Sequence, residues 1–212
     1  MNREESIIID PQELIINKNA WTQDFYHRVG LNMESIAGYG SSLMCVKPLI
    51  QELPNIFKEF NIKSITDIPC GDYFWMNLVE KNGIDYIGYD LVDDQIIYNK
   101  NKYSDVNFQQ LNMIVDNLPT ADLIFSRDCF IHLSFKHINS FLQKCYESKS
   151  TYIMTSTYPT VMQNEDLNGV IGWRCLNLEL EPFNFPSPIK IINEGYYKDP
   201  KCMGIWKISD II

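Results

Sequence analysis

A histidine five residues after an arginine and four after an aspartate brings together groups that can move a proton and meet a charge. In Arg127-Asp128-Cys129-Phe130-Ile131-His132 the imidazole is the side chain whose ordinary pKa suits a base near neutral pH. Asp128 can orient that ring or touch a substrate. The Arg127 fork suits a phosphate or carboxylate, a structural salt bridge being its other use. For His132 the alternative is packing or capping just ahead of Ser134. A second group of residues offers binding. Asp67-Ile68-Pro69-Cys70-Gly71 joins an acid to a glycine that lets the backbone approach a ligand closely, and Asp90 follows nineteen positions after Gly71. An acid there, closing the next strand, accepts hydrogen bonds from ribose hydroxyls. Either aspartate alone is explained as well by a turn. Their register on successive strands favours a cofactor site.

Those side chains need a scaffold, and the hydrophobic rhythm supplies one. Strands are expected at 64–68, 85–90, 106–111, 121–126 and 151–156, with helices at 73–81, 93–103 and 134–147 between them. Strands separated by helices of this length imply right-handed crossovers and a mostly parallel sheet. Ahead of the first strand, apolar residues from Leu43 to Phe60 keep a helical spacing that Pro54 is expected to kink or split. After Ser156 the rhythm stops. The stretch 157–188 carries Pro159, Pro182, Pro186 and Pro188, as in a lid or substrate wall. Two closing strands, 189–193 and 203–208, flank a Gly-Tyr-Tyr-Lys-Asp-Pro turn as an antiparallel hairpin. The whole is one domain over 1–212: an N-terminal helical cap (1–60), a cofactor-binding core (61–156), a substrate loop (157–188) and the hairpin (189–212).

Composition narrows the partners. Eighteen Lys and Arg against 27 Asp and Glu give a net charge of −9, which repels nucleic acid and anionic membranes. A small basic pocket for an anionic substrate stays compatible with that balance. The six cysteines lack any CxxC pair, and the three histidines are not in ligand spacing, so no metal site is expected. Reduced, buried thiols, no signal-like N-terminus and no apolar membrane-length stretch point to a cytoplasmic protein.

Asp67-x-x-Cys70-Gly71 resembles the first motif of class I S-adenosylmethionine-dependent methyltransferases, with Pro69 and Tyr73 where that motif has glycines. The closing antiparallel hairpin is a further feature of that family. Trp75, Ser126-Arg127-Asp128-Cys129-Phe130-Ile131-His132-Leu133-Ser134 and Gly38-Tyr39-Gly40-Ser41 are similar to small bacterial methyltransferases of capsule and polysaccharide biosynthesis clusters. So are Trp173-Arg174-Cys175-Leu176-Asn177-Leu178, Pro182-Phe183 and Pro186-Ser187-Pro188.

The resemblance implies a Rossmann-like seven-stranded α/β fold with S-adenosylmethionine as cofactor. It places Asp67 on the methionine ammonium, Asp90 on the ribose, and Pro69, Cys70, Gly71, Leu91 and Arg127 around the cofactor. Asn112 and Met113 follow the third strand, where the adenine is met, and a solvated turn is the other reading of Asn112. Trp21 and Tyr39 cover the site from the N-terminal segment. Tyr39, Trp173, Arg174 and Asn177 are the expected substrate contacts, loop anchoring being the alternative for the last three. Absence of GxGxxG argues against a pyrophosphate cofactor and hence against a nicotinamide oxidoreductase. The acceptor implied is a small molecule: an oxygen of a sugar nucleotide, glycan precursor or phosphate-type capsule modification. His132 would be the base and Asp128 its partner. A non-catalytic binding partner built on the same fold is the alternative.

Overall fold

The computed structural model describes residues 9–31, 33–167, 172–195 and 200–211. Most of the expected hairpin turn and the start of the N-terminal segment lie outside them. Seven strands form one sheet: β1 (Ser64–Asp67), β2 (Asp85–Asp90), β3 (Asn107–Gln110), β4 (Leu123–Ser126), β5 (Tyr152–Thr157), β6 (Lys190–Asn193) and β7 (Cys202–Lys207). The order is β3-β2-β1-β4-β5-β7-β6. β1 to β5 pair in parallel, and β7 runs antiparallel to both β5 and β6. The chain reverses its direction of winding between β1 and β4, so the crevice at their carboxyl ends is where this topology receives ligands.

Alternation along the strands builds two cores, one on each face. Ile65, Leu123, Phe125, Met154, Met203 and Ile205 face helix α2 (Leu43–Glu59). Ile68, Ile124, Ile153 and Trp206 face helix α4 (Phe135–Glu147). Helix α3 (Asp93–Lys102) places Ile96 in the first core. α2 carries Pro48 and Pro54 yet is one continuous helix, not split at Pro54. Its apolar stripe Val46, Leu49, Leu53, Ile56 and Phe57 is fully buried, and that burial outweighs the two missing N–H donors.

One element differs from the sequence expectation. No helix spans 73–81; only a short 3-10 turn, Met76–Leu78, forms there. Tyr73 has φ +56° and sends its ring against Tyr86, Tyr103 and Phe108, while Trp75, Met76 and Val79 also enter the core. With Tyr73 in the left-handed region the backbone leaves a helical path at the start of this stretch, and only the Met76–Leu78 turn forms. In the polar N-terminal stretch, helix α1 (Pro11–Val29) forms, with the Asp10 carboxylate accepting from the Gln12 N–H at 2.9 Å and Pro11 opening the first turn. None of its residues is buried. It lies across the carboxyl edge of the sheet as a cover.

Candidate functional site

The turn after β1 is held by polar groups on every side. Gly71 adopts φ +53°, and a Cβ there would come within 3.1 Å of the Ala37 methyl. Its N–H donates to Asp90 Oδ2 at 3.2 Å, and its carbonyl accepts from Asn99 Nδ2 at 2.7 Å. Gln95 donates in turn to Asn99 Oδ1. Cys70 N–H donates to the Tyr89 carbonyl. Gly88 on β2 is required beneath the turn, because a Cβ would meet the Phe108 ring at 2.7 Å and Cys70 Cβ at 3.1 Å. Asp72 completes the fixture: its carboxylate accepts from Ser35 Oγ and Ile36 N–H, which draws the 35–41 segment over the turn.

Two buried carboxylates face the resulting space. Burial pushes Asp67 up to about 7, against the lowering effects of the Tyr86 hydroxyl, which donates to it, and of Lys81. Burial likewise raises Asp90 to about 6, partly offset by the N–H groups of Val92 and Gly71. No cation pairs directly with either among the described residues. A buried acid with such a pKa is suited to receiving a positively charged or hydroxyl-bearing ligand.

The floor beyond β4 is a closed charge network. Arg127 makes a bidentate pair with Glu194, at 3.1 and 2.7 Å, and also donates to the Gly40 carbonyl at 2.7 Å. Lys201 reaches Asp128 at 2.7 Å and Glu194 at 3.0 Å. Asp128, at φ +52°, also lies 3.2 Å from Arg127 and accepts from Ser156. Burial works against ionisation of Asp128, but Arg127 and Lys201 outweigh it and hold the carboxyl below its usual range. The network ties the 38–41 segment, the end of β4 and the β6–β7 hairpin together.

These elements enclose a cavity of about 1010 Å³. That is the upper end of the about 300–1,000 Å³ usual for small-molecule sites. Leu14, Asn17, Trp21, Phe25 and Arg28, spaced as one helix face, bring α1 over it. Trp21 meets the His132 ring edge-on, with centroids 5.2 Å apart. His132 Nδ1 lies 2.7 Å from the Gly172 carbonyl, and burial lowers its pKa below 6.5. Polar contacts hold the cover: Lys18 on Asp93 at 2.7 Å, Glu13 beside the buried His137 at 3.2 Å, and Arg28, itself paired with Asp24 of the same helix, on the Ala37 carbonyl at 2.7 Å.

The structure gathers most of the expected residues around one space. Asp67, Pro69, Cys70, Gly71, Asp90, Leu91, Asn112, Met113, Arg127, Asp128, His132, Tyr39, Trp21 and Trp173 all line it. Asn112 Oδ1 accepts from the Ile114 N–H, forming the turn reading of that residue. Three expectations need correction. Arg174 does not line the cavity; it donates to the Phe130 and Glu165 carbonyls and stacks on Phe135, so it anchors the loop. Asn177 is buried and donates to Pro159 and Val161, doing the same. Asp128 does not orient His132, since its oxygens are engaged by Lys201, Arg127 and Ser156. Arg127 likewise meets Glu194, the salt-bridge alternative. Sequence reasoning missed Asp72, Asn99, Glu194 and Lys201. Asp72, adjoining the motif, was the one with a visible signal.

Neither the family models nor the curated proteins give a match to this chain. Solved structures do. A 1,6-didemethyltoxoflavin-N1-methyltransferase from Burkholderia thailandensis, holding its substrate and S-adenosylhomocysteine, superposes with TM-score 0.65 at 9% identity, over 96% of this chain and 92% of that one. Magnesium protoporphyrin IX methyltransferase from Synechocystis, with S-adenosylmethionine bound, gives 0.61 at 10% identity, over 96% and 99%. The methyltransferase domain of a bacterial Hen1 gives 0.56 at 14% identity, over 76% and 98%. The sheet order, the antiparallel closing pair and these superpositions agree: this chain has the Rossmann-like fold of class I S-adenosylmethionine-dependent methyltransferases.

Proposed function

We propose that the protein is a methyltransferase that binds S-adenosylmethionine at the β1–β2 edge and methylates a hydroxyl of a small molecule. The observation that carries this reading is the placement of Asp67 and Asp90, two buried carboxylates with no salt bridge among the described residues, on either side of the Gly71 turn. The residues fit the cofactor. Asp67 would hold its ammonium, Asp90 its ribose hydroxyls, and the Leu111–Ile114 segment with Leu91 its base. Met113 and Cys129, in contact at 3.4 Å, give that end an apolar, polarisable lining. When bound, the cofactor supplies a methyl group already activated by a sulfonium.

The rest is alignment, exclusion of water and removal of a proton. With Nδ1–H donating to Gly172, His132 keeps a lone pair on Nε2, where the acceptor's hydroxyl proton can go. Burial keeps the ring neutral at pH 7, the form a base requires. The α1 cover and the Trp21 ring close the reacting space. The likeness of Gly38–Ser41 and of the Trp173 segment to capsule-cluster enzymes favours an unphosphorylated glycan precursor as the acceptor, in a cytoplasmic reaction.

Titration calorimetry with S-adenosylhomocysteine is expected to show one site. No heat at millimolar ligand would reject the reading. Binding with no methyl transfer across a panel of hydroxyl acceptors would favour a non-catalytic partner instead.

A further inference from the structure

Among the described residues, the cavity is lined by six carboxylates (Glu13, Asp24, Asp67, Asp72, Asp90, Asp128) and only three cations, Arg28, Arg127 and Lys201. Each cation already meets a carboxylate: Arg28 meets Asp24 at 2.8 Å, Arg127 meets Glu194, and Lys201 meets Asp128 and Glu194. Helix N-termini are the other places where this fold could receive an anion. They too are taken by the chain's own acids. Asp90 accepts from Val92 N–H ahead of α3, whose first turn is Asp93-Asp94. Asp166 accepts from Phe135 N–H at α4, at 2.7 Å, and Glu34 from Leu43 N–H at α2, at 2.9 Å. Facing the acceptor end are Trp21, Phe25, Ile131, Leu133, Leu167 and Trp173.

From this we infer that the acceptor is an uncharged molecule with a flat or apolar face, and that a phosphorylated acceptor, such as a sugar nucleotide, is excluded. A phosphate entering the cavity would lose its water with no uncommitted cation among the described residues to replace it, only the neutral amides of residues such as Asn17. It would also lie among an excess of carboxylates, which the cofactor's single extra positive charge does not cancel. A neutral ring loses little on entering and gains contact with Trp21 and Trp173. The charge pattern therefore selects against anions, and the aromatic wall selects for the acceptor's body.

The inference rests on the cofactor reading above, and the test separates the two. Protein saturated with S-adenosylhomocysteine, verified by calorimetry, is titrated with 2-naphthol, 2-naphthyl phosphate and UDP-glucose while tryptophan fluorescence is followed. We expect saturable quenching by 2-naphthol, at least tenfold weaker binding of its phosphate, and no binding of UDP-glucose. Trp21→Leu should weaken 2-naphthol binding severalfold and Trp21→Phe should restore it. Asp24→Asn, which releases Arg28, should narrow the preference over the phosphate. Failure to bind S-adenosylhomocysteine overturns the cofactor reading. With that ligand bound, absence of 2-naphthol binding, or equal or tighter binding of either phosphorylated probe, overturns the acceptor inference alone.

Discussion

At the scale of single residues, His132 and the two buried aspartates make the sharpest expectations. If His132 is the base proposed here, replacing it by Ala or Gln should lower kcat by about 10²–10⁴-fold. S-adenosylhomocysteine affinity should hardly move, because Asp67, Gly71 and Asp90 lie elsewhere on the cavity wall. In the unmodified protein any methyl-transfer rate should fall on the acid side with a midpoint below 6.5, the direction set by burial of the ring. Equal kcat in variant and parent would reject the base role. Asp90→Ala should weaken S-adenosylhomocysteine by about 1–3 kcal/mol, the cost of hydroxyls left unpaired, as read by calorimetry.

The same aspartates link pH to stability. Asp67 and Asp90, at about 7 and 6, lie above the unfolded value near 3.8, so the folded chain binds more protons than the unfolded one between those limits. Their combined contribution to stability is therefore largest below about pH 4 and is lost as pH rises through 6 and 7. The unliganded protein should lose Tm from these groups between pH 5 and 8, and the double variant Asp67→Asn, Asp90→Asn should flatten that slope. Cofactor affinity should run the other way, strengthening as the two acids ionise. Differential scanning calorimetry and titration at four pH values check both signs.

At the scale of elements, the Gly71 turn depends on helix α3, which bonds it through Asn99. Asn99 is fully buried and bridges Gln95 to the Gly71 carbonyl, so Asn99→Ala should cost about 1–3 kcal/mol of stability through an orphaned acceptor. Denaturant unfolding measures that. A parallel loss of S-adenosylhomocysteine affinity would show that the turn, and not only the fold, relies on α3. Most elements could be read from the sequence because burial on both faces writes the pattern plainly, as in Ile65, Leu123 and Phe125 against Ile68 and Ile124. Residues 73–81 could not, since Tyr73, Trp75, Met76 and Val79 have the composition of an apolar helix but pack at irregular intervals. α1 was legible only in its start, Asp10-Pro11-Gln12-Glu13, as it buries no apolar stripe. The site followed the same division. Asp67, Gly71 and Asp90 announce themselves by position relative to strands. Glu194 and Lys201 reach Arg127 and Asp128 from the far end of the chain, a closeness that no local pattern encodes.

At the scale of the whole molecule, the protein divides into a rigid sheet and a cover of different character. The sheet is closed by two apolar cores and by the Arg127–Glu194–Lys201–Asp128 network, whose Arg127 also bonds Gly40, 87 positions away in sequence. No residue of α1 is fully buried, and besides the contacts of Leu14 and Trp21 it is held by ion pairs that water can reach, Lys18–Asp93 and Glu13–Lys136. Exposed pairs of this kind contribute little and are screened by salt, within about 8 Å at physiological ionic strength. A bound acceptor must pass beneath this helix to leave. Ionic strength thereby acts as a throttle on turnover: added potassium chloride should loosen the cover while leaving the cofactor seat intact. If release limits the cycle, kcat should rise between low and moderate salt as KM rises with it, and amide exchange in 11–29 should quicken while that of β1 and β4 stays constant.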